Sequence, residues 1–185
     1  MYITYNATVV YNTTISKSKH DMKFLITSAA YQKLRDEIKH LTDHERPNII
    51  KAIATAREHG DLSENAEYHT AKEKQGFIEY RISDLTDKLN RATVVDPTNL
   101  SGDVVQFGAT VTLLNLNTEE TTQYTIVGEY EIATFGGTAK KFISASSPIG
   151  KALIGQSRGD EIKISTPRDT KEYKILDVQY VHLDL

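Results

Sequence analysis

Residues 56–76 read Ala56-Arg57-Glu58-His59-Gly60-Asp61-Leu62-Ser63-Glu64-Asn65-Ala66-Glu67-Tyr68-His69-Thr70-Ala71-Lys72-Glu73-Lys74-Gln75-Gly76, and the rest of the chain is arranged around them. A helical pattern runs into this stretch and another runs out of it. Between them stands Gly60, the residue type that most readily takes the left-handed backbone ending a helix. Asp61-Leu62-Ser63-Glu64 then has the D-x-x-E form of a capping box. One helix stops, the chain turns within a few residues, and a second helix starts, which is an αα-hairpin with a tight tip. From Glu58 to Glu67 the tip carries Glu58, Asp61, Glu64 and Glu67 and no Lys or Arg. Asp61 and Glu64 are three apart and share a face once helical. Two hard oxygen ligands on one face suit Mg²⁺. Capping and the helix dipole favour the same acids at a helix start, so spacing alone leaves both readings open.

Upstream, Thr27 or Ser28 is placed to cap a helix, in which Leu34, Ile38 and Leu41 recur at helical spacing. Arg46-Pro47 interrupts the pattern, because a proline inside a helix removes a hydrogen bond and crowds the preceding turn. The apolar line resumes at Ile49, Ile53 and Ala56. The expectation is a helix over about 28–58 with a bend or break near Pro47. Downstream, Tyr68, Ala71, Gln75, Ile78, Ile82, Leu85 and Leu89 are spaced 3-4-3-4-3-4, an a/d seam held over three heptads. Gln75 is its one polar member and reads as a tolerated residue near a narrow tip. Charges of alternating sign around the seam describe a solvated outer face. The connection is too short for anything but antiparallel pairing with the preceding helix, and about 30 residues at 1.5 Å each make a rod of roughly 45 Å.

After Ala92-Thr93-Val94-Val95 the character changes. Pro97 and the Asn, Ser and Gly residues that follow mark a linker. Strand patterns then recur over 109–116, 122–127, 141–145, 161–165 and 172–180, with turns at Asn115-Leu116-Asn117-Thr118 and Gly136-Gly137. Ser147-Pro148 to Gly155 reads as a short helix covering a sheet face. The expected fold class is α+β: an N-terminal coiled-coil hairpin over 22–96, with its acidic tip near 58–67, and a small α+β domain over 97–185. Residues 1–21, rich in Thr, Asn and Tyr, are expected to be a disordered extension.

Composition narrows the function. With 185 residues, 39% hydrophobic and 25% charged, the chain has the balance of a globular protein. A net charge of −3 argues against broad adhesion to duplex DNA, which needs many phosphate-neutralising cations. The absence of cysteine excludes disulfides, zinc–thiolate sites and cysteine nucleophiles. No apolar run approaches the ~20 residues of a membrane span, and no basic-then-apolar leader opens the sequence, so a cytoplasmic protein is expected. No Ser-His-Asp set, Gly-rich phosphate loop or His pair with metal spacing is identifiable. His59 and His69 flank the tip as surface residues of a hairpin. Two carboxylates on a thin tip do not complete an octahedral Mg²⁺ site, which leans on substrate phosphates and waters as well. Half a site on a long rod suggests ligands delivered into another protein's incomplete site.

The tip, with Lys72-Glu73 and Gln75-Gly76-Phe77 after it, resembles the coiled-coil tip of the Gre family of bacterial transcript cleavage factors. Ser147-Pro148-Ile149-Gly150-Lys151-Ala152-Leu153-Ile154-Gly155 resembles the family's second signature, and the resemblance runs from Met22 to about Val181. It implies an FKBP-like fold for the C-terminal domain and a transcription elongation factor with the bacterial RNA polymerase as partner. Such a factor inserts its hairpin into the polymerase secondary channel and docks its C-terminal domain on the channel rim. There it stimulates the polymerase's own Mg²⁺-dependent cleavage of the backtracked RNA 3′ end, with no enzymatic activity or cofactor of its own. By position, Asp61 and Glu64 match the acidic pair that shares the second Mg²⁺ with the polymerase. Ser63 and Asn65 are candidates to orient water or RNA, and Arg57 and Lys72 to steady the RNA phosphate, unless the last two are only helix-surface charge. A monomer is expected. Two alternatives stand beside this. A Gre-like inhibitor would bind the channel without promoting cleavage, but inhibitory relatives have altered tips and this one keeps its acidic pair. A prolyl isomerase would need an aromatic-lined pocket, and Phe107, Tyr124, Tyr130, Phe135, Phe142, Tyr173 and Tyr180 read instead as core or sheet surface.

Overall fold

The computed structural model describes residues 23–58, 65–136, 142–165, 170–183 and 185; the expected extension 1–21 lies outside them. The fold is α+β and divides into two compact units, Tyr31–Ala92 and Met1–Ala30 with Thr93–Leu185.

The first unit is helical. Helix α1 spans Ser28–His40, a π-helical segment spans Leu41–Glu45, and α2 spans Arg46–Glu58. The bend expected near Pro47 is realised as this π segment, in which the Arg46 N–H bonds to the Leu41 carbonyl five residues back. Widening the turn just before Pro47 accommodates a residue that has no N–H to offer the ladder and whose ring crowds the preceding turn. Helix α3 spans Ala66–Arg91, about 39 Å at 1.5 Å per residue. The seam is where the heptads place it. Ala71, Ile78 and Leu85 are buried on α3 and Ile49, Ile53 and Ala56 on α2, with Tyr68 and Ile82 packed against the Ile49–Ile53–Ala71–Ile78 cluster. Gln75 is half-buried and accepts a hydrogen bond from Lys72 Nζ at 2.9 Å. The Arg46 guanidinium spans to Glu79 with two hydrogen bonds, which raise the Arg46 pKa and lower that of Glu79.

The second unit carries a small sheet of β1 (Phe24–Thr27) with β2 (Ala92–Val95) and a larger sheet of five strands. The latter are β3 (Thr110–Asn115), β4 (Thr121–Val127), β5 (Phe142–Ser144), β6 (Glu161–Ser165) and β7 (Thr170–Gln179), in the order β5-β4-β3-β7-β6. All pairings are antiparallel except β4 with β5. The parallel pair requires a crossover, and the connection contains a helix, α4 (Glu129–Phe135), that the sequence reading did not foresee. Strand β7 has a bulge: Thr112 faces Asp177 while Leu113 faces Ile175. The extra residue, Leu176, is turned outward, which is how Ile175 and Val178, three apart, are both buried. Val105, Phe107, Ala109, Val111, Leu113, Ile126, Leu153, Ile162 and Ile175 make up most of the core, with Tyr124, Tyr173 and Tyr180 packed on its edge. The C-terminal aromatics that were read as core or sheet surface are thus largely used in packing.

Thr27 caps α1, its Oγ1 accepting from the Ala30 N–H at 3.3 Å. Helix α5 (Pro148–Leu153) begins at Ser147, whose Oγ accepts from the Gly150 N–H at 3.1 Å and donates to the Ser144 carbonyl at 2.7 Å. A Cβ at Gly150 would run into that same carbonyl, so the Ser-Pro-x-Gly sequence is dictated by close approach of helix and strand.

Candidate functional site

The described part of the hairpin tip is built where α2 ends and α3 begins. The last carbonyls of one helix and the first N–H groups of the next have no intrahelical partner. Asn65 serves both. Its Oδ1 accepts from the Tyr68 N–H at 3.0 Å, and its Nδ2 donates to the Ala56 carbonyl at 2.8 Å. One amide thus caps α3 and fastens it to the end of α2. This corrects the sequence reading, in which Asp61 opened the second helix: the N-cap is Asn65, four residues later. Asn is as good an N-cap as Asp, and only Asn can also donate to the facing carbonyl. The signal was present in the sequence but overshadowed by the earlier D-x-x-E pattern.

Of the remaining expected site residues, Arg57 lies over the Tyr68 ring, its guanidinium carbon 5.7 Å from the centroid. The Tyr68 ring attracts the cation by its quadrupole and also packs against the hairpin core. Tyr68 also meets His69 edge-on, with ring centroids 5.6 Å apart. Tyr68 was foreseen only as a seam residue; its part in placing Arg57 needed the structure. Lys72 stands about one turn beyond Tyr68 on α3, its Nζ donating to Gln75 Oε1 at 2.9 Å. Glu58 closes α2 and Glu67 lies in the first turn of α3, both exposed. Asp61, Ser63 and Glu64 lie outside the described residues. Among the described residues no group of three or more His, Cys, Asp or Glu side chains is arranged to hold a metal. No described helix is long and apolar enough to cross a membrane.

The family described as "Transcription elongation factor, N-terminal" matches residues 24–94, and that described as "Transcription elongation factor, GreA/GreB, C-term" matches residues 100–180. Among curated proteins, the chain is 53% identical over 163 residues to the transcription elongation factor GreA of Rickettsia prowazekii, covering 88% of this chain and 98% of that protein. It is 48% identical over 159 residues to GreA of Phenylobacterium zucineum, covering 86% and 99%. Among solved structures it is similar to the GreA factor homolog 1 of Thermus thermophilus (26% identity, 85% and 99% covered, TM-score 0.38) and to the GreA/GreB factor of Nitrosomonas europaea (25% identity, 85% and 100% covered, TM-score 0.37). With both of its parts matched and relatives this similar over nearly their whole length, the chain belongs to the GreA/GreB family of transcription elongation factors.

Proposed function

We propose that this chain is a transcript cleavage factor. It enters the secondary channel of a backtracked bacterial RNA polymerase and stimulates the polymerase's own hydrolysis of the RNA 3′ end, without acting as an enzyme by itself. The observation that carries the reading is the tip itself. Asp61 and Glu64 are both present, and Asn65 takes the cap of α3. The bland alternative for Asp61, capping of α3, thereby loses its main support, which favours reading the two acids as chemical groups. In the complex, Asp61 and Glu64 would supply oxygen ligands to a Mg²⁺ shared with the polymerase, the metal contributing charge stabilisation of the attacking and leaving oxygens. Ser63 is placed by sequence to orient the attacking water. Arg57, steadied on Tyr68, has a cation to offer an RNA phosphate. Lys72 is tied to Gln75 and reads better as surface charge.

The test is release of 3′-labelled RNA fragments from a stalled, backtracked complex of the cognate polymerase in Mg²⁺. The wild-type chain should release short fragments rapidly. Asp61→Ala should lose on the order of 10²-fold in rate, the scale of removing one charge-stabilising group, while still binding polymerase. Binding without fragment release by the wild type would instead make the chain a channel-binding inhibitor. Loss of binding in Asp61→Ala would return the acid to a structural role.

A further inference from the structure

Helix α3 carries a second ordered row. On the side opposite its buried seam, Ala66, Thr70, Glu73, Phe77 and Tyr80 recur at spacings of 4, 3, 4 and 3 and so share one face. Phe77 and Tyr80 are 67% and 69% exposed, the two most exposed large hydrophobic side chains among the described residues. Gly76 beside them adds bare backbone, since a Cβ there would meet nothing within 4 Å. Toward α2 the first residues of the row border an open groove lined by Ile49, Ala66, Glu67, Thr70, Ala71 and Lys74. A helix face that only meets water does not gain from two neighbouring aromatics, and such a patch marks a surface that something covers.

The charge around the row selects the occupant. Lys74 is drawn to Glu45 at 3.4 Å, and Arg81 to Glu37 at 2.7 Å. Glu67 and Glu73 have no ion partner among the described residues. Uncompensated carboxylates repel a nucleic-acid backbone. A second copy of the chain, packed antiparallel about a two-fold axis through the middle of the row, would set Glu73 against Glu73. An apolar protein surface edged by Lys or Arg satisfies both the aromatics and the acids. We propose that the Ala66–Tyr80 row is a docking face for such a surface on RNA polymerase, which holds the rod in register while the tip acts. This rests on the cleavage-factor reading above.

The experiment uses the full chain with Phe77→Ser and Tyr80→Ser combined and, separately, Glu73→Lys. All three sites are exposed, and thermal melts verify that both variants fold. Affinity for the cognate core polymerase is measured with fluorophore-labelled chain, and fragment release is measured at saturating factor. The double variant should bind about tenfold more weakly or worse, the scale of losing an aromatic anchor, with fragment release at saturation within about twofold of wild type. Glu73→Lys should weaken binding several-fold. Unchanged affinity in both variants overturns the docking face and leaves the cleavage-factor reading intact. A wild-type dimer that the double variant dissolves assigns the row to a second copy and also overturns it. A wild-type chain that does not bind polymerase at all overturns the cleavage-factor reading, and this proposal with it.

Discussion

In the hairpin, Ile49, Ile53, Ala71 and Ile78 form a buried cluster flanked by Tyr68 and Ile82, all drawn from two adjacent helices. In the sheet unit, twelve buried residues from Val105 to Val178 meet from four strands, a helix and the segments between them. One core is local in sequence and narrow; the other is long-range and wide. Surface ion pairs such as Arg46–Glu79 and Arg81–Glu37 lace the helices together, but exposed pairs contribute only about 0.2–1 kcal/mol each. The difference shows a division of labour. The sheet unit has the burial that makes a domain stable, while the hairpin is an extended carrier whose described tip depends on a few polar contacts.

The largest test of this contrast is cavity creation. Leu113→Ala, at a fully buried position on β3, should cost about 2–5 kcal/mol. Ile53→Ala in the hairpin, 7% exposed, should cost at or below the low end of that range, because its site opens toward solvent. Urea denaturation followed by fluorescence and circular dichroism reads both. A larger loss at Ile53 than at Leu113 would mean that the hairpin, and not the sheet, holds the dominant core.

The same contrast explains what could be read before the structure. The seam Tyr68–Leu89 and the apolar line Ile49–Ile53–Ala56 follow from a 3.6-residue period, a property of the local sequence. The strands of the larger sheet follow from alternation, and the short helix at Ser147 from its Ser-Pro start. What was not legible depends on partners far away. The strand Phe24–Thr27 falls within the stretch assigned to the hairpin, and only its pairing with Ala92–Val95 reveals it. The bulge at Leu176 breaks the alternation that would have placed Val178. Helix Glu129–Phe135 is a short crossover helix around Glu131, whose meaning lies 104 residues upstream. At the tip, the acidic cluster is a reading from sequence alone, from Glu58, Asp61, Glu64 and Glu67 recurring every third position of one short stretch. The bridging of Asn65 to Ala56 and the stacking of Arg57 on Tyr68 were not legible there, because they require the two helices already paired.

Glu131 supplies an intermediate effect, confined to the sheet unit. It is fully buried, and its Oε1 accepts from the Thr27 N–H at 2.7 Å. Oε2 has no hydrogen-bond partner among the described residues and lies where any side chain at Gly128 would collide. Burial raises its pKa above the ordinary carboxylate value, opposed only in part by hydrogen bonds from Thr27, from its own N–H and from Gly128. The folded state therefore holds a proton that the unfolded chain releases. The stability this contributes is fully present below the unfolded pKa and is lost as pH rises through the folded one. Within that window the slope is roughly 1.4 kcal/mol per pH unit. Denaturant melts at stepped pH should show the decline in the wild type and a flatter profile in Glu131→Gln, whose amide is neutral throughout. Parallel profiles would mean that the carboxyl is ionised in the fold and that the sheet unit tolerates a buried charge.

Asn65 has the smallest effect on stability and separates scaffold from chemistry most cleanly. Asn65→Ala removes both the cap of α3 and the bond to the Ala56 carbonyl, and should destabilise the hairpin by about 0.5–2 kcal/mol, the range for losing an N-cap. Asn65→Asp keeps an acceptor for the Tyr68 N–H but has no donor for Ala56, so it should lose only the fastening. If Asn65 acts solely as a staple, fragment release should fall in the order of hairpin stability, with Ala below Asp and Asp below Asn. If its amide also orients water or RNA, release by the Asp variant should fall further than its stability does. Melting the hairpin and timing fragment release on the same three chains decides between these. A sheet-unit substitution of equal cost, such as a conservative Ile175→Val at about 1 kcal/mol, is the control, because loss of stability in that unit should leave the tip's contribution to release untouched.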